Sequence, residues 1–134
     1  MSTRPTPEQL DTRMTPRLQA LRRDPRPTAF DVPGGWYQIV ADLDRELEAH
    51  SFWFRYSQIK ADNGELIVHI DYAGDMPRDI RWRVQELTTR ARERSATVCE
   101  ECGAPGEQRF QQGWWGTRCD TCLTEHVSAG RSRP

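Results

Sequence analysis

The sequence predicts an α+β protein, in which a helix, a β-hairpin and a second helix form a body and a four-cysteine module closes the chain. Three observations carry this reading. Two stretches repeat apolar residues at helical spacing, an Asn-Gly step joins two aromatic and β-branched runs between them, and the four cysteines form two Cys-x-x-Cys pairs near the C-terminus. A chain of 134 residues with 36% apolar and 29% charged residues fits one small domain, or one with a metal-stapled extension.

Residues 1–30 are rich in Pro, Thr and Arg, a composition that resists packing, and read as a flexible tail. Within it Leu10, Met14, Leu18 and Leu21 allow short helices over Pro7 to Met14 and Pro16 to Arg23, which would dock on a partner or on the body. Pro25 and Pro27 then act as a linker.

The body, residues 31–97, opens at Pro33-Gly34-Gly35-Trp36. Trp36, Val40, Leu43 and Leu47 mark the buried stripe of a helix ending near His50, and Asp42, Asp44, Arg45, Glu46 and Glu48 are expected on a solvated face. The runs Phe52 to Lys60 and Glu65 to Tyr72 follow, with Asn63-Gly64 as a type I′ turn. That loop sets Ile59 opposite Val68, Ala61 opposite Leu66 and Ser57 opposite Ile70 on one face. Lys60/Ile67, Gln58/His69 and Tyr56/Asp71 make the other face. A second helix is expected from Pro77 to Ser95, with Ile80, Val84, Leu87 and Ala91 buried and Arg83, Glu86, Arg90 and Arg94 outside.

Residues 98–129 form the expected zinc finger, and 130–134 a disordered end. Cys99 and Cys102 in Cys-Glu-Glu-Cys-Gly, and Cys119 and Cys122 in Cys-Asp-Thr-Cys, lie 16 residues apart, a spacing that lets four thiolates surround one Zn2+. No run is apolar enough to cross a bilayer and no signal peptide is evident, so a cytoplasmic chain without a membrane partner is expected. Reducing conditions there favour metal over disulfides. Glu107 to Gln112 and Trp114 to Arg118 read as a hairpin around Gly113, and Leu123 to Ala129 as a helix start. Knuckle, hairpin and a cysteine pair at a helix start resemble a treble clef more than a zinc ribbon with two identical knuckles. His126 is expected to pack or face solvent, because structural zinc is four-coordinate.

The stretch 33–126, from Gly34-Gly35-Trp36-Tyr37 through Ser57-Gln58-Ile59-Lys60 and Gly64-Glu65-Leu66 to the two cysteine pairs, resembles a group of small, uncharacterised proteins of actinobacteria and their phages. The resemblance implies a Gly-Trp helix, a hairpin and a terminal zinc finger, and it implies no task. This chain departs from the pattern at Cys122, where His is frequent, and at Ile67, where Arg is frequent.

Four thiolates saturate a zinc ion and leave no position for a reacting water, and no phosphate loop, nucleophile elbow or His-Glu-x-x-His is present, so no catalysis is expected. His50, and His69 with Asp71, read as polar surface. Two binding tasks remain, nucleic-acid binding as the expected one and protein binding as its alternative. The first is nucleic acid, through Arg83, Arg90 and Arg94 on the second helix and Arg109, Trp114, Trp115 and Arg118 in the finger. The formal charge of −1 requires those cations to share a face. The second is a protein partner, the chain serving as an adaptor, inhibitor, immunity or counter-defence factor, with Trp53 and Trp82 as exposed anchors. Oligomeric state is left open.

Overall fold

The computed structural model describes residues 14–50, 52–111 and 113–123. Along them run α1 (Pro16–Arg22), β1 (Phe30–Asp31), α2 (Tyr37–Glu48), β2 (Phe54–Asp62), β3 (Glu65–Tyr72), α3 (Arg78–Ser95), β4 (Glu107–Gln111) and β5 (Trp114–Arg118). β1, β2 and β3 form one sheet, with β1 parallel and β3 antiparallel to β2, and β4 pairs with β5 in a second sheet. The expected α+β body with a C-terminal cysteine module is therefore present.

Asn63 and Gly64 adopt φ of 53° and 80°, the left-handed pair that a type I′ turn needs. From there the register runs as expected through Ile59↔Val68 and Gln58↔His69, then slips, so that Tyr56 pairs with Ile70 and Arg55 with Asp71. The expected Ser57/Ile70 and Tyr56/Asp71 pairs do not form. The slip at Ser57 is a β-bulge, and its cause is a change of parity: Phe54 and Tyr56 are both even, Ile59 is odd, and all three are buried. One extra residue lets both sets face the core.

The core lies between the sheet and the helices. Trp36, at the end of a 3-10 turn (Gly34–Trp36), is fully buried with Ile39, Val40, Leu43 and Leu47 of α2, and α3 contributes Val84, Leu87 and Ala91. Burying a tryptophan removes roughly 200 Å² from water, about 5 kcal/mol before conformational entropy is charged.

Residues 14–30, expected as tail, pack onto this body. Thr15 caps α1 by accepting from Leu18 N, Pro16 occupies the first turn, and Met14, Leu18 and Leu21 join the core. Ala29 then accepts from Ile59 N at 2.9 Å and leads into β1. The helix expected over Pro7 to Met14 falls almost wholly outside the described residues.

The acidic face of α2 is not simply solvated. Asp44 is fully buried and accepts from Thr15 N at 2.8 Å, Thr15 Oγ1 at 2.9 Å and Tyr56 Oη at 2.6 Å. Burial, and then the Asp44 charge, push the Tyr56 hydroxyl well above its ordinary range, so it keeps its proton and donates. Asp42 pairs with Arg94 of α3, and Glu48 with Arg17 of α1. The carboxylates of α2 thus hold the elements on either side of it.

Candidate metal centre

The α3 helix ends at Ser95, whose hydroxyl accepts from Leu66 N at 2.9 Å and fixes where the chain leaves the body. A tight turn follows. Cys99 N donates to Ala104 O at 2.7 Å and Gly103 N to Cys99 O at 2.9 Å, which folds Cys99 and Cys102 towards one side. β4 and β5 then carry the chain out and back, in register from Glu107↔Arg118 to Gln111↔Trp114, and deliver Cys119 beside the first pair. Cys119 opens a helical turn over 120–123, where Cys122 N points at Cys119 Sγ at 3.4 Å and Leu123 N donates to Cys119 O at 3.0 Å.

The four sulfurs lie within 4.8 Å of one another, with Cys102 and Cys119 3.7 Å apart. A disulfide needs about 2.05 Å. A tetrahedral ion with metal–sulfur bonds of about 2.3 Å places its sulfurs about 3.8 Å apart, so the spacing fits a metal site. None of the four cysteines forms a disulfide. The Cys122 backbone N–H brings the Cys119 thiol down to about 7, whereas burial raises Cys102 and Cys122. The Cys119 thiolate forms readily, whereas Cys102 and Cys122 need a cation to offset their charge.

The centre is docked on the body. Gly35 N donates to Glu100 O at 2.8 Å, Trp36 Nε1 to Val98 O at 2.9 Å, and Thr117 Oγ1 to Gly64 O at 2.7 Å. Gly35 is required by proximity, since a Cβ there would stand 2.1 Å from Cys99 O. Glu100 is buried between the two cysteines of its pair, donating from its own N to Thr117 O at 2.8 Å and accepting from Thr117 N at 2.9 Å through Oε1. Gly35, Glu100 and Thr117 were not singled out as site residues by sequence reasoning. The Gly-Gly step before Trp36 was the one visible signal.

Of the residues nominated for phosphate contact, the arginines are held within the molecule. Arg83 and Arg90 both pair with Glu86, Arg94 pairs with Asp42, and Arg109 binds Asp120 at 2.6 Å and Arg118 O at 3.2 Å. Arg118 is only 2% exposed, and its Nη2 lies 3.8 Å from Glu101 Oε1. Neither its Nε nor its Nη2 finds a hydrogen-bond acceptor among the described residues. A buried guanidinium is costly without compensating charge, and four thiolates around a divalent ion would carry about −2 on the adjoining residue. Both the donor set and Arg118 therefore fit a bound divalent metal.

The nominated tryptophans are exposed. Trp114 is 44% and Trp115 49% exposed, together with Phe110 at 61%, so these rings do not serve as the core of the cysteine module. Phe110 and Trp115 are cross-strand neighbours with centroids 5.3 Å apart. Trp53 and Trp82 are exposed too, as expected. His69 lies on the exposed hairpin surface, and Asp71 pairs with Arg55. His126 lies outside the described residues.

A second cluster of cations lines a groove of about 670 Å³ between α1 and β2. There Arg17 donates to Phe54 O, Arg26 to Ser57 O and Asp24, and Arg55 pairs with Asp71. Arg26 thus holds the carbonyl of the bulged Ser57 itself and Arg17 that of Phe54, three residues before it, which braces the bulged strand. No described helix is long and apolar enough to cross a membrane. Compared with known proteins, the chain matches no family model, no curated protein and no solved structure.

Proposed function

We propose that this chain is a non-enzymatic, zinc-stapled recognition protein whose finger hairpin binds another protein. The ion is zinc, because four thiolates in a closed tetrahedral arrangement suit it and leave no open position for chemistry. The order of knuckle, hairpin and helical turn supports a treble-clef-like finger.

One observation carries the choice of partner. From Phe110 to Trp115 the hairpin tip bears three exposed aromatic side chains and no charge, in a chain with 29% charged residues. Aromatic enrichment with charge depletion characterises the centre of protein interfaces. Nucleic-acid binding needs cations beside the rings, and Arg109 and Arg118 are turned to carboxylates or buried.

Affinity purification of the wild type and a Phe110→Ser/Trp115→Ser variant, with and without nuclease, tests the reading. A protein partner held by the wild type, indifferent to nuclease and lost in the variant, supports it. Retention that disappears with nuclease, or a variant that keeps the same partner, overturns it.

A further inference from the structure

We infer that the outer edge of β4 accepts an extended, basic segment of a partner protein as an added strand. This rests on the protein-binding reading above and specifies its chemistry. The two edges of the finger sheet differ. Along β5, Thr117 directs its N–H and C=O away from β4, because Glu100 takes both, at 2.9 and 2.8 Å. Thr117 is paired with Gln108, so this is a pair without mutual hydrogen bonds, and the N–H and C=O of Gln108 must point outward on the opposite side. By the same alternation those of Phe110 also point outward.

Among the described residues no backbone group outside the hairpin meets Gln108 or Phe110. The β5 edge is closed by Glu100; among the described residues nothing closes the β4 edge. Exposed edges are normally blunted by Pro, a bulge, shortness or charge; β4, Glu-Gln-Arg-Phe-Gln, has no Pro, Lys or bulge, and its charges are Glu107 and Arg109. Its single cation does not guard it, since Arg109 folds back onto Asp120 and Arg118 O.

Charge selects the occupant. Residues 98–123 hold four carboxylates, at Glu100, Glu101, Glu107 and Asp120, against Arg109 and Arg118, a balance of −2. Four thiolates on one dication add about −2 more. Glu107 and Asp120 flank the strand with side chains 79% and 91% exposed, and both pair with Arg109. This field repels a phosphate backbone and attracts Arg or Lys. Alternate side chains of an added strand would lie over the Phe110–Trp115 face, so the segment alternates basic and apolar residues.

Synthetic peptides alternating Arg and Val, and matching Glu/Val and Ser/Val peptides, are suitable probes for the metal-loaded full chain. Tryptophan fluorescence reads affinity, and amide hydrogen exchange reads the edge. Saturable binding of the Arg/Val peptide alone, with the Gln108 and Phe110 amides slowed at least about tenfold, is the expected result. Gln108→Pro removes an outward N–H without touching the β4–β5 ladder and should weaken binding at least about tenfold. Glu107→Gln/Asp120→Asn, which leaves the backbone intact, should do the same. Each variant is checked for unchanged metal content and melting.

Equal affinity in Gln108→Pro overturns strand addition while leaving the aromatic tip as a protein-binding surface. Absence of Arg/Val binding, equal binding of the Glu/Val peptide, or displacement by single-stranded DNA overturns the inference outright. The Phe110→Ser/Trp115→Ser experiment reports on the underlying reading separately.

Discussion

Replacing Gly35 with alanine places a methyl group 2.1 Å from Cys99 O and 2.6 Å from both Glu100 C and Glu100 O. Ordinary contact begins at about 3.5 Å, so the knuckle backbone must retreat by about 1.4 Å. It cannot yield as a flexible side chain would, because the obstructing atoms are backbone. Overpacking of this kind costs about 1–3 kcal/mol, and loss of the 2.8 Å bond from Gly35 N to Glu100 O adds about 1 kcal/mol. For a chain of this size that is a fall in Tm of roughly 10 °C. Thermal melting of the metal-loaded variant reads the loss, and the rate of metal release to a chelator, which should rise, shows where it acts. Gly74→Ala is the control, since nothing lies within 4 Å of a Cβ at that position. A Gly35→Ala protein that melts and releases metal like the wild type would refute the docking of the knuckle against the 3-10 turn.

Other perturbations test separate parts of the account. Cys102→Ser removes one corner of the site and should weaken metal binding at least about 100-fold, with loss of amide protection at Glu100 and Thr117; metal titration followed by hydrogen exchange checks both. Tyr56→Phe withdraws a donor from buried Asp44 and should cost about 1–3 kcal/mol in denaturant unfolding. Because Tyr56 holds its proton above the ordinary 10.0, the folded state binds more protons than the unfolded at high pH, and wild-type stability should fall as pH rises past that value. The Phe variant should lack this component in melts across alkaline pH. Acid acts oppositely at the metal centre: bound thiolates carry no protons whereas unfolded thiols do, so stabilisation by metal should decline as pH falls, read as metal released in an acid titration.

The elements legible in the sequence were those with periodic or local signals. Both long helices, the Asn63-Gly64 turn and the finger hairpin follow from spacing and turn chemistry. The four cysteines identify themselves because no other residue set has their spacing. The register beyond Gln58 was missed although its signal was present, in the change of parity between Tyr56 and Ile59. Asp44 was misread because an acid beside other acids on a helix ordinarily faces water, whereas its donors are Thr15, the cap of α1 in the segment expected as tail, and Tyr56 of β2. Arg83 and Arg90 meet Glu86 at helical spacing, a signal the sequence carried, but the partner of Arg94 was out of reach. Arg94 meets Asp42 across 52 positions, a pairing that depends on how α2 and α3 pack. β1, only two residues long and parallel to its neighbour, has too little sequence to show a pattern.

Native mass spectrometry of the freshly isolated chain bears most directly on the central claim, that four thiols clamp one divalent ion as a scaffold. The account predicts the mass of the chain plus one zinc ion, with all four thiols becoming reactive once the ion is chelated. A metal-free mass with four thiols freely reactive, or a mass four hydrogens light from two disulfides, would contradict it.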